Sequence, residues 1–296
     1  MTSGLVVVDK PSGWTSHDVV ARVRRVAGTR RVGHAGTLDP MATGVLLLGV
    51  ERATRLLGHL ALRDKRYEAT IRLGQSTVTD DAEGEPTGGA DASGVTEAAV
   101  RAGLAALTGE IDQVPAAVSA VKVAGRRAYA EVRSGRDVAL APRRVTISRL
   151  EPRGTRRPAP DLLDLDVVVE CSTGTYVRAV ARDLGAALGV GGHLTALRRT
   201  RVGPFTLDQA VTLDRLAALA AGGADPVRIG LDEAAAAAFR RRDVDAESAR
   251  RLGHGGLLAP AGLDGVYAAF DPDGHVVALL EERAGAARPV LVLRPG

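Results

Sequence analysis

One carboxylate stands out as a group placed to do chemistry. The run Gly33-His34-Ala35-Gly36-Thr37-Leu38-Asp39-Pro40-Met41-Ala42-Thr43-Gly44 sets Asp39 among glycines and directly ahead of a proline. Glycine tolerates positive φ and lets a second backbone or a ligand come close, and a residue before proline is steered away from helical geometry. The segment reads as a tightly folded loop that presents Asp39 at a fixed angle, with the apolar run Val45-Leu46-Leu47-Leu48 behind it as support. A carboxylate held in this way can serve as nucleophile or base. The same spacing also suits an aspartate that merely caps a turn, because Asp-Pro commonly opens one. An anion cradle fits less well: an acidic residue at the loop's centre repels phosphate, and no Gly-Lys-Ser/Thr follows.

The elements that must hold this loop can be read from periodicity. Leu5-Val6-Val7-Val8 reads as a buried strand, and Thr15 or Ser16 can cap a helix running to about Ala27. A strand is expected over Val45 to Val50, then a helix from about Glu51 to Leu60. Tyr67 to Leu73 alternates as a strand should. Residues 74 to 95 are rich in Gly, Asp, Thr and Ser and read as a long polar loop, which in a compact domain is usually functional or disordered. A helix over Thr96 to Thr108 follows, then strands near 110–114, 119–124, 143–150 and 162–171, a helix from Tyr176 to Leu188 and a strand at 193–202. Strands outnumber helices and mostly lie too close together for helical crossovers. The expected class is α+β with a large, mainly antiparallel sheet.

After Gln209 the texture turns to alanine-rich helices, which end at Ala221-Gly222-Gly223-Ala224-Asp225-Pro226, a linker in composition. The expected division is residues 1–226 and 227–296. The second unit ends in glycine-punctuated short strands, Gly265 to Phe270 and His275 to Leu280, and reads as a small β-rich module.

At 296 residues the chain suits one large domain and a small one, by the usual ~100–200 residues per domain. Apolar content of 45% suits a soluble core, and no run approaches the ~20 apolar residues that span a membrane. The start, Met1-Thr2-Ser3-Gly4, lacks the regions of a signal peptide. Cys171 is the one cysteine, which excludes an internal disulfide and a cysteine-cluster metal site. These features together lead us to expect a cytoplasmic protein with no membrane association.

The formal charge is +4, and the sequence pI is about 9.6. Arginines occur in clumps: Arg22/Arg24/Arg25, Arg30/Arg31, Arg126/Arg127, Arg143/Arg144, Arg198/Arg199/Arg201 and Arg240/Arg241/Arg242. Such clumps are the footprint of a phosphate-backbone binder, and equally of a solvated arginine-rich surface. The three lysines are Lys10, Lys65 and Lys122. Where arginine has replaced lysine elsewhere, these positions suit a compact ammonium.

The wording of the loop adds to its spacing. Gly-His-Ala-Gly-Thr-Leu-Asp-Pro-Met-Ala-Thr-Gly resembles the catalytic loop of the tRNA pseudouridine-55 synthases, the TruB family. Val8 to Val20, Lys65-Arg66-Tyr67-Glu68-Ala69, Ser119-Ala120-Val121-Lys122, Cys171 to Arg178 and His193 to Arg199 resemble further segments of that family, in its order, over residues 4 to 205. The resemblance implies a pseudouridine-synthase-like catalytic domain over 1–226 with a thumb-like loop at 74–95, and a PUA-like RNA-binding domain over 227–296. It implies isomerisation of uridine at position 55 in the T-loop of tRNA by base flipping, a tRNA-folding chaperone role beside it, and a monomer acting on the T-arm. Nothing is oxidised and no group is imported in that reaction, so no cofactor or metal is expected.

The resemblance also assigns residues. Asp39 becomes the essential aspartate and Arg178 its ion-pair partner, which would reverse the rise in pKa that burial gives a carboxylate. Tyr67 becomes the tyrosine that stacks on the target uracil, with a part in removing the carbon-bound proton. Tyr176 lies near the flipped base, and Leu197 joins the substrate-contacting set. His34 stands in for the displaced base, Lys10 supports the catalytic loop on the RNA side, and Asp80 touches RNA or orders the thumb loop. On spacing alone each tyrosine equally suits a half-buried residue whose hydroxyl finds a partner, and His34 a plain hydrogen-bonding histidine. One departure is visible: Pro115-Ala116-Ala117-Val118 keeps a single proline and no aromatic where the family shows two prolines and an aromatic. The rival readings are a non-catalytic RNA-binding module, which has no need of Asp39, Tyr67 and Arg178 together, and a related synthase that acts on a guide RNA or on a different uridine.

Overall fold

The computed structural model describes residues 2–116 and 141–295, with the backbone of two short strands between them. Ser119-Ala120-Val121, the Ala117-Val118 departure and the side chains of Lys122, Arg126 and Arg127 lie outside the described residues.

The chain opens with strand β1 (Gly4–Lys10), then helix α1 (Ser16–Ala27), β2 (Val32–Ala35) and β3 (Thr43–Val50). Thr15 caps α1 and forms a capping box with Asp18, and Gly28 closes the helix in the left-handed conformation, so both ends are set by local sequence. The expected loop over Gly33–Gly44 is shorter than its glycines suggest. Residues 32–35 pair with the far end of β3, His34 opposite Leu48 and Ala35 opposite Leu47, and only 36–42 remain irregular. After β3 the expected helix is a 3₁₀ turn (Glu51–Leu56) followed by short α2 (Leu57–Ala61). The turn winds tightly onto β3: a Cβ on Gly49 would lie 2.7 Å from the Ala53 carbonyl oxygen.

β4 (Lys65–Leu73) leads into a hairpin of β5 (Ser76–Thr77) and β6 (Pro86–Gly88), within the stretch expected to be a loop. α3 (Glu97–Ala106) and β7 (Gly109–Gln113) follow, then β8 (Lys122–Val123) and β9 (Arg126–Arg127). β10 (Arg143–Arg156) is longer than expected and passes two irregularities in its pairing with β11 (Leu163–Cys171). α4 (Val177–Ala187), β12 (Gly192–Val202), β13 (Phe205–Thr206) and α5 (Leu213–Ala221) complete the larger unit. β14 (Ile229–Gly230), α6 (Leu231–Ala238), β15 (Arg240–Asp243), α7 (Ala246–Gly253), β16 (Tyr267–Phe270), β17 (Val276–Arg283) and β18 (Ala286–Val292) follow.

Among the described residues the strands form a ten-stranded sheet with the path β14-β1-β3-β12-β4-β11-β10-β7, while β2 pairs with β3 and β13 with β12. Its pairings are antiparallel except for the short β12–β3 contact, so the α+β class and the mainly antiparallel sheet stand. The apolar runs of β1 and β3 follow from burial on both faces. Val6, Val8, Leu46 and Leu48 enter a core with α1, α3, α4 and α5. Leu5, Val7, Val45 and Leu47 enter a second core with the 3₁₀ turn, α6 and the small sheet β15-β16-β17-β18. Held by two cores, the middle of the sheet is a rigid floor for the segment that carries Asp39.

Candidate active site

Asp39 sits on the connection between β2 and β3, and that connection is gripped from two sides by buried cations. Lys10, 0% exposed at the end of β1, donates to the carbonyls of Pro11 (2.9 Å), Trp14 (2.6 Å) and Pro40 (3.0 Å). Arg199, 1% exposed on β12, donates to the carbonyls of Val45 (2.7 Å), Gly36 (3.0 Å) and Thr37 (3.4 Å). Ser16 exchanges hydrogen bonds with the backbone of Leu38, and Pro40 accepts a further bond from the Gly13 amide. Lys10 thus ties Pro40 of this connection to Pro11 and Trp14 of the β1–α1 connection, which makes it a clamp between the two. Burial lowers its pKa to about 8, against the pull of Glu83 and Asp39. Gly44 closes the connection at φ +100, and a Cβ there would lie 2.2 Å from the Arg199 carbonyl oxygen. The glycine lets β3 and β12 meet at this point.

Arg178, 5% exposed, meets Asp39 from the first turn of α4. Its Nη2 donates to Asp39 Oδ1 at 3.3 Å, and its Nε lies 3.0 Å from Oδ2 without an aligned N–H. Nη1 donates to the Thr79 carbonyl at 2.8 Å and lies 3.4 Å from Asp81 Oδ2. A cation near a helix N-terminus opposes the helix dipole. Two carboxylates offset that cost, and the guanidinium is divided between them. The division shows in the titration of Asp39. Burial raises its pKa above the ordinary carboxylate value, Arg178 opposes the rise, and Asp81 adds to it. The expectation that the opposite charge reverses the effect of burial is therefore not met: burial outweighs Arg178, and Asp81 adds to the rise.

Tyr67 completes the group. It lies on β4, between Arg199 of β12 and Val169 of β11, and is buried. Burial raises the pKa of its phenol, and the charge of Arg199 acts against the rise. Asp39, Arg178, Tyr67, Tyr176, Leu197 and Lys65 line one cavity of about 280 Å³. Tyr176 precedes α4, and Gln113 clamps its backbone by donating to its carbonyl (3.1 Å) and accepting from its amide (2.8 Å). Lys65 gives its ammonium to the carbonyls of Ala61 (2.9 Å) and Arg63 (2.8 Å), and burial lowers its pKa to about 8.

The remaining expected residues are not among those that line this cavity. His34, half-buried on β2, meets the His17 ring edge-on at 5.5 Å between centroids. Burial, then His17 and Arg199, lower its pKa below the ordinary histidine value. Asp80 points away from Asp39: its carboxylate lies 3.3 Å from Arg182 and its carbonyl accepts from the Leu194 amide at 3.0 Å. Of the two roles expected of Asp80, loop ordering is the one this geometry provides. Its neighbour Asp81, buried at 2% exposure, faces Arg178 and receives the Glu83 amide at 3.0 Å. Adjacent side chains diverge, so taking the first acid of Asp80-Asp81 for the second misses the site. Asp81, Gln113 and the clamping function of Arg199 went unread for want of long-range partners; the doubled aspartate was the available signal.

The arginine clumps separate into two kinds. Arg198 pairs with Asp9 (2.8 Å), Arg201 with Asp64 (2.6 Å) and Glu170 (3.3 Å), and Arg199 is the loop clamp. This clump is internal structure, not a phosphate footprint. Among the described residues no group of three or more His, Cys, Asp or Glu is gathered as for a metal. No described helix is long and apolar enough to cross a membrane.

Sequence comparison decides the family. The profile of the TruB family pseudouridylate synthase N-terminal domain matches residues 24–177. The chain belongs to the TruB family. Two further profiles of TruB synthases match beyond it, the tRNA pseudouridylate synthase B C-terminal domain at 178–228 and the tRNA pseudouridine synthase II C-terminal region at 239–294. Similar TruB relatives include proteins named tRNA pseudouridine synthase B from Nocardia farcinica, 62% identical over 99% of this chain and 94% of its own. Those from Rhodococcus jostii and Thermobifida fusca are each 60% identical over 99% of this chain, covering 94% and 99% of theirs. Among solved structures, a chain of a Cbf5-Nop10-Gar1 complex matches 99% of this chain and 85% of its own, at 26% identity and TM-score 0.75. One from an archaeal box H/ACA sRNP Nop10-Cbf5 complex matches with 27% identity and TM-score 0.73, over 99% and 86%. The TruB architecture thus accounts for both the large sheet and the small C-terminal one.

Proposed function

We propose that this chain isomerises uridine to pseudouridine at position 55 in the T-loop of tRNA. The convergence of Asp39, Arg178 and Tyr67 on one cavity carries the reading. The reaction breaks the bond from the ribose C1′ to N1 of uracil and forms one from C1′ to C5; C5 loses a proton and N1 gains one. Nothing enters or leaves overall, so the work falls to a positioned carboxylate, a surface for the turned base and a proton acceptor. Asp39 supplies the carboxylate, fixed by Arg178. Tyr67 offers a buried ring on which an extruded base stacks, offsetting part of the few kcal/mol that flipping costs. Tyr176 and Leu197 narrow the cavity around that base, and His34, on β2 ahead of the Asp39 segment, fills the gap it leaves in the RNA. In this reading residues 1–226 carry the chemistry and 227–296 add RNA contacts.

The test is incubation of the purified chain with an unmodified tRNA transcript, followed by mapping of pseudouridine. The expected product is one pseudouridine, at position 55. Asp39→Asn keeps the shape of the side chain without its nucleophilicity or basicity, and should bind the tRNA while forming none. A product elsewhere, or turnover by Asp39→Asn within a few-fold of the parent, would overturn the assignment.

A further inference from the structure

The first turn of α1 is bonded to Leu38, which lines the cavity, and the far end of the helix carries unspent positive charge. Ser16, at its first turn, is bonded to Leu38 of the catalytic loop, and His17 packs edge-on against His34. From there the exposed positions run through His17, Ala21, Arg24 and Arg25 to Gly28, one side of the helix, with the exposed Arg30 and Arg31 just beyond. Val19, Val20 and Val23 occupy the opposite side and are buried. The arginines of this patch are not consumed as those of 198–201 are. Arg22, Arg25 and Arg30 form no ion pair among the described residues, and Arg24 makes one bond, to the Val32 carbonyl at 3.0 Å. The nearby acids are occupied: Asp18 closes the cap with Thr15, and Glu51 is taken by Thr29 and Arg31. Favourable charge at a helix C-terminus accounts for Arg24 and Arg25 in the last turn, but not for the exposed Arg30 past its end.

Given the proposed function, on which this inference rests, the nucleotide turned into the cavity comes from a loop closed by an RNA duplex. We infer that the exposed face of α1, with Arg24, Arg25 and Arg30 as its anchors, docks the phosphate backbone of that flanking duplex. The reach is suitable. Twelve residues at ~1.5 Å each carry the helix ~18 Å from its contact with Leu38, the length of several base pairs. Double-stranded RNA is recognised mostly through its shape and backbone, and guanidinium groups bind phosphate in forks. Ala21, midway along the stripe, leaves room for a backbone to approach.

The experiment compares hairpins that share one loop but differ in stem length, about three against about eight base pairs, half a turn being ~5. Dissociation constants are measured across salt for the parent chain, for Arg24→Gln/Arg25→Gln/Arg30→Gln and for the matching triple Lys variant. The Gln variant should bind the short hairpin as the parent does and the long one roughly ten-fold or more weaker, with its salt slope reduced by about two to three units. The Lys variant, which keeps the charge, should retain most of the long-hairpin affinity. Equal losses on both stems, no loss on either, or an equal loss in the Lys variant would overturn the inference. Because binding is read and not turnover, the result stands apart from the assignment of the reaction: a parent chain that binds long stems better but forms no pseudouridine would refute the reaction and leave the surface.

Discussion

Tyr67 lies directly across the β4–β12 pairing from Arg199, so the ring proposed to receive the base and the clamp on the Asp39 loop are cross-strand neighbours. Arg199 ties three carbonyls of residues 36 to 45 to the sheet while its charge counters part of the effect of burial on the Tyr67 phenol. Arg199→Met should therefore damage two things together. Buried carbonyls left without donors cost ~1–3 kcal/mol each, so thermal unfolding should show a loss on the order of 3 kcal/mol, and the single-turnover rate should fall with it. Unchanged melting would show that the loop holds its shape without the arginine.

Tyr67→Phe separates stacking from proton transfer. The ring area remains and only the phenol is lost, so RNA affinity should stay within a few-fold of the parent. Turnover should fall by roughly 10²–10⁴, the usual worth of a positioned acid or base. The check is release of tritium from C5-labelled uridine alongside binding measurements. A variant that turns over normally would leave Tyr67 a stacking surface and nothing more.

The shared grip of Arg178 predicts a pH profile. Asp39 has a raised pKa in the folded protein, so folding favours its protonated form and that contribution to stability fades as pH rises through the folded value. Activity follows the opposite course, since it needs the anion, and is lost as pH falls through that value. Its acid limb should therefore sit above the ordinary carboxylate range. Asp81→Asn removes a negative neighbour that raises the Asp39 pKa, and should move the acid limb of the single-turnover profile to lower pH. A limb that stays in place or moves upward would show that Asp81 does not act on Asp39 through charge.

Arg178→Lys keeps one positive charge but loses the planar fork that spans Asp39, Asp81 and the Thr79 carbonyl. A compact ammonium does not reproduce the fixed spacing of the fork between these three acceptors. The single-turnover rate should drop roughly ten- to hundred-fold with RNA affinity nearly unchanged. Wild-type rates in this variant would mean that the loop, clamped by Lys10 and Arg199, orients Asp39 unaided.

Most strands were legible because burial on one or both faces leaves a direct mark on residue order, as in β1, β3 and β4. The cap of α1 was legible from Thr15, whose partner Asp18 is three residues away. What failed depended on distant partners. Nothing local in Val32–Ala35 reveals a strand; its pairing with the far end of β3 makes it one. Residues 74–95 look solvated by composition, yet they bring Asp81 against Arg178 across nearly a hundred positions. Asp39 and Arg178 could be named by family resemblance, whereas the division of one guanidinium between two acids required the coordinates.

The last expectation concerns what is recognised. The chain is only 3% aromatic, and one base-sized cavity leaves little to read neighbouring bases by stacking. RNA whose bases are splayed out in a loop, presented by a duplex of fixed shape, suits such a site better than an extended strand. An isolated T-stem-loop should be modified at its target uridine, and an unstructured oligonucleotide with the same loop sequence should not. His34→Ala, by emptying the space that faces His17, should slow the stem-loop reaction at the flipping step, seen as a slower fluorescence change of a base analogue at the target position. Equal tritium release from the stem-loop and the unstructured strand would show that the enzyme reads the loop sequence and not its shape.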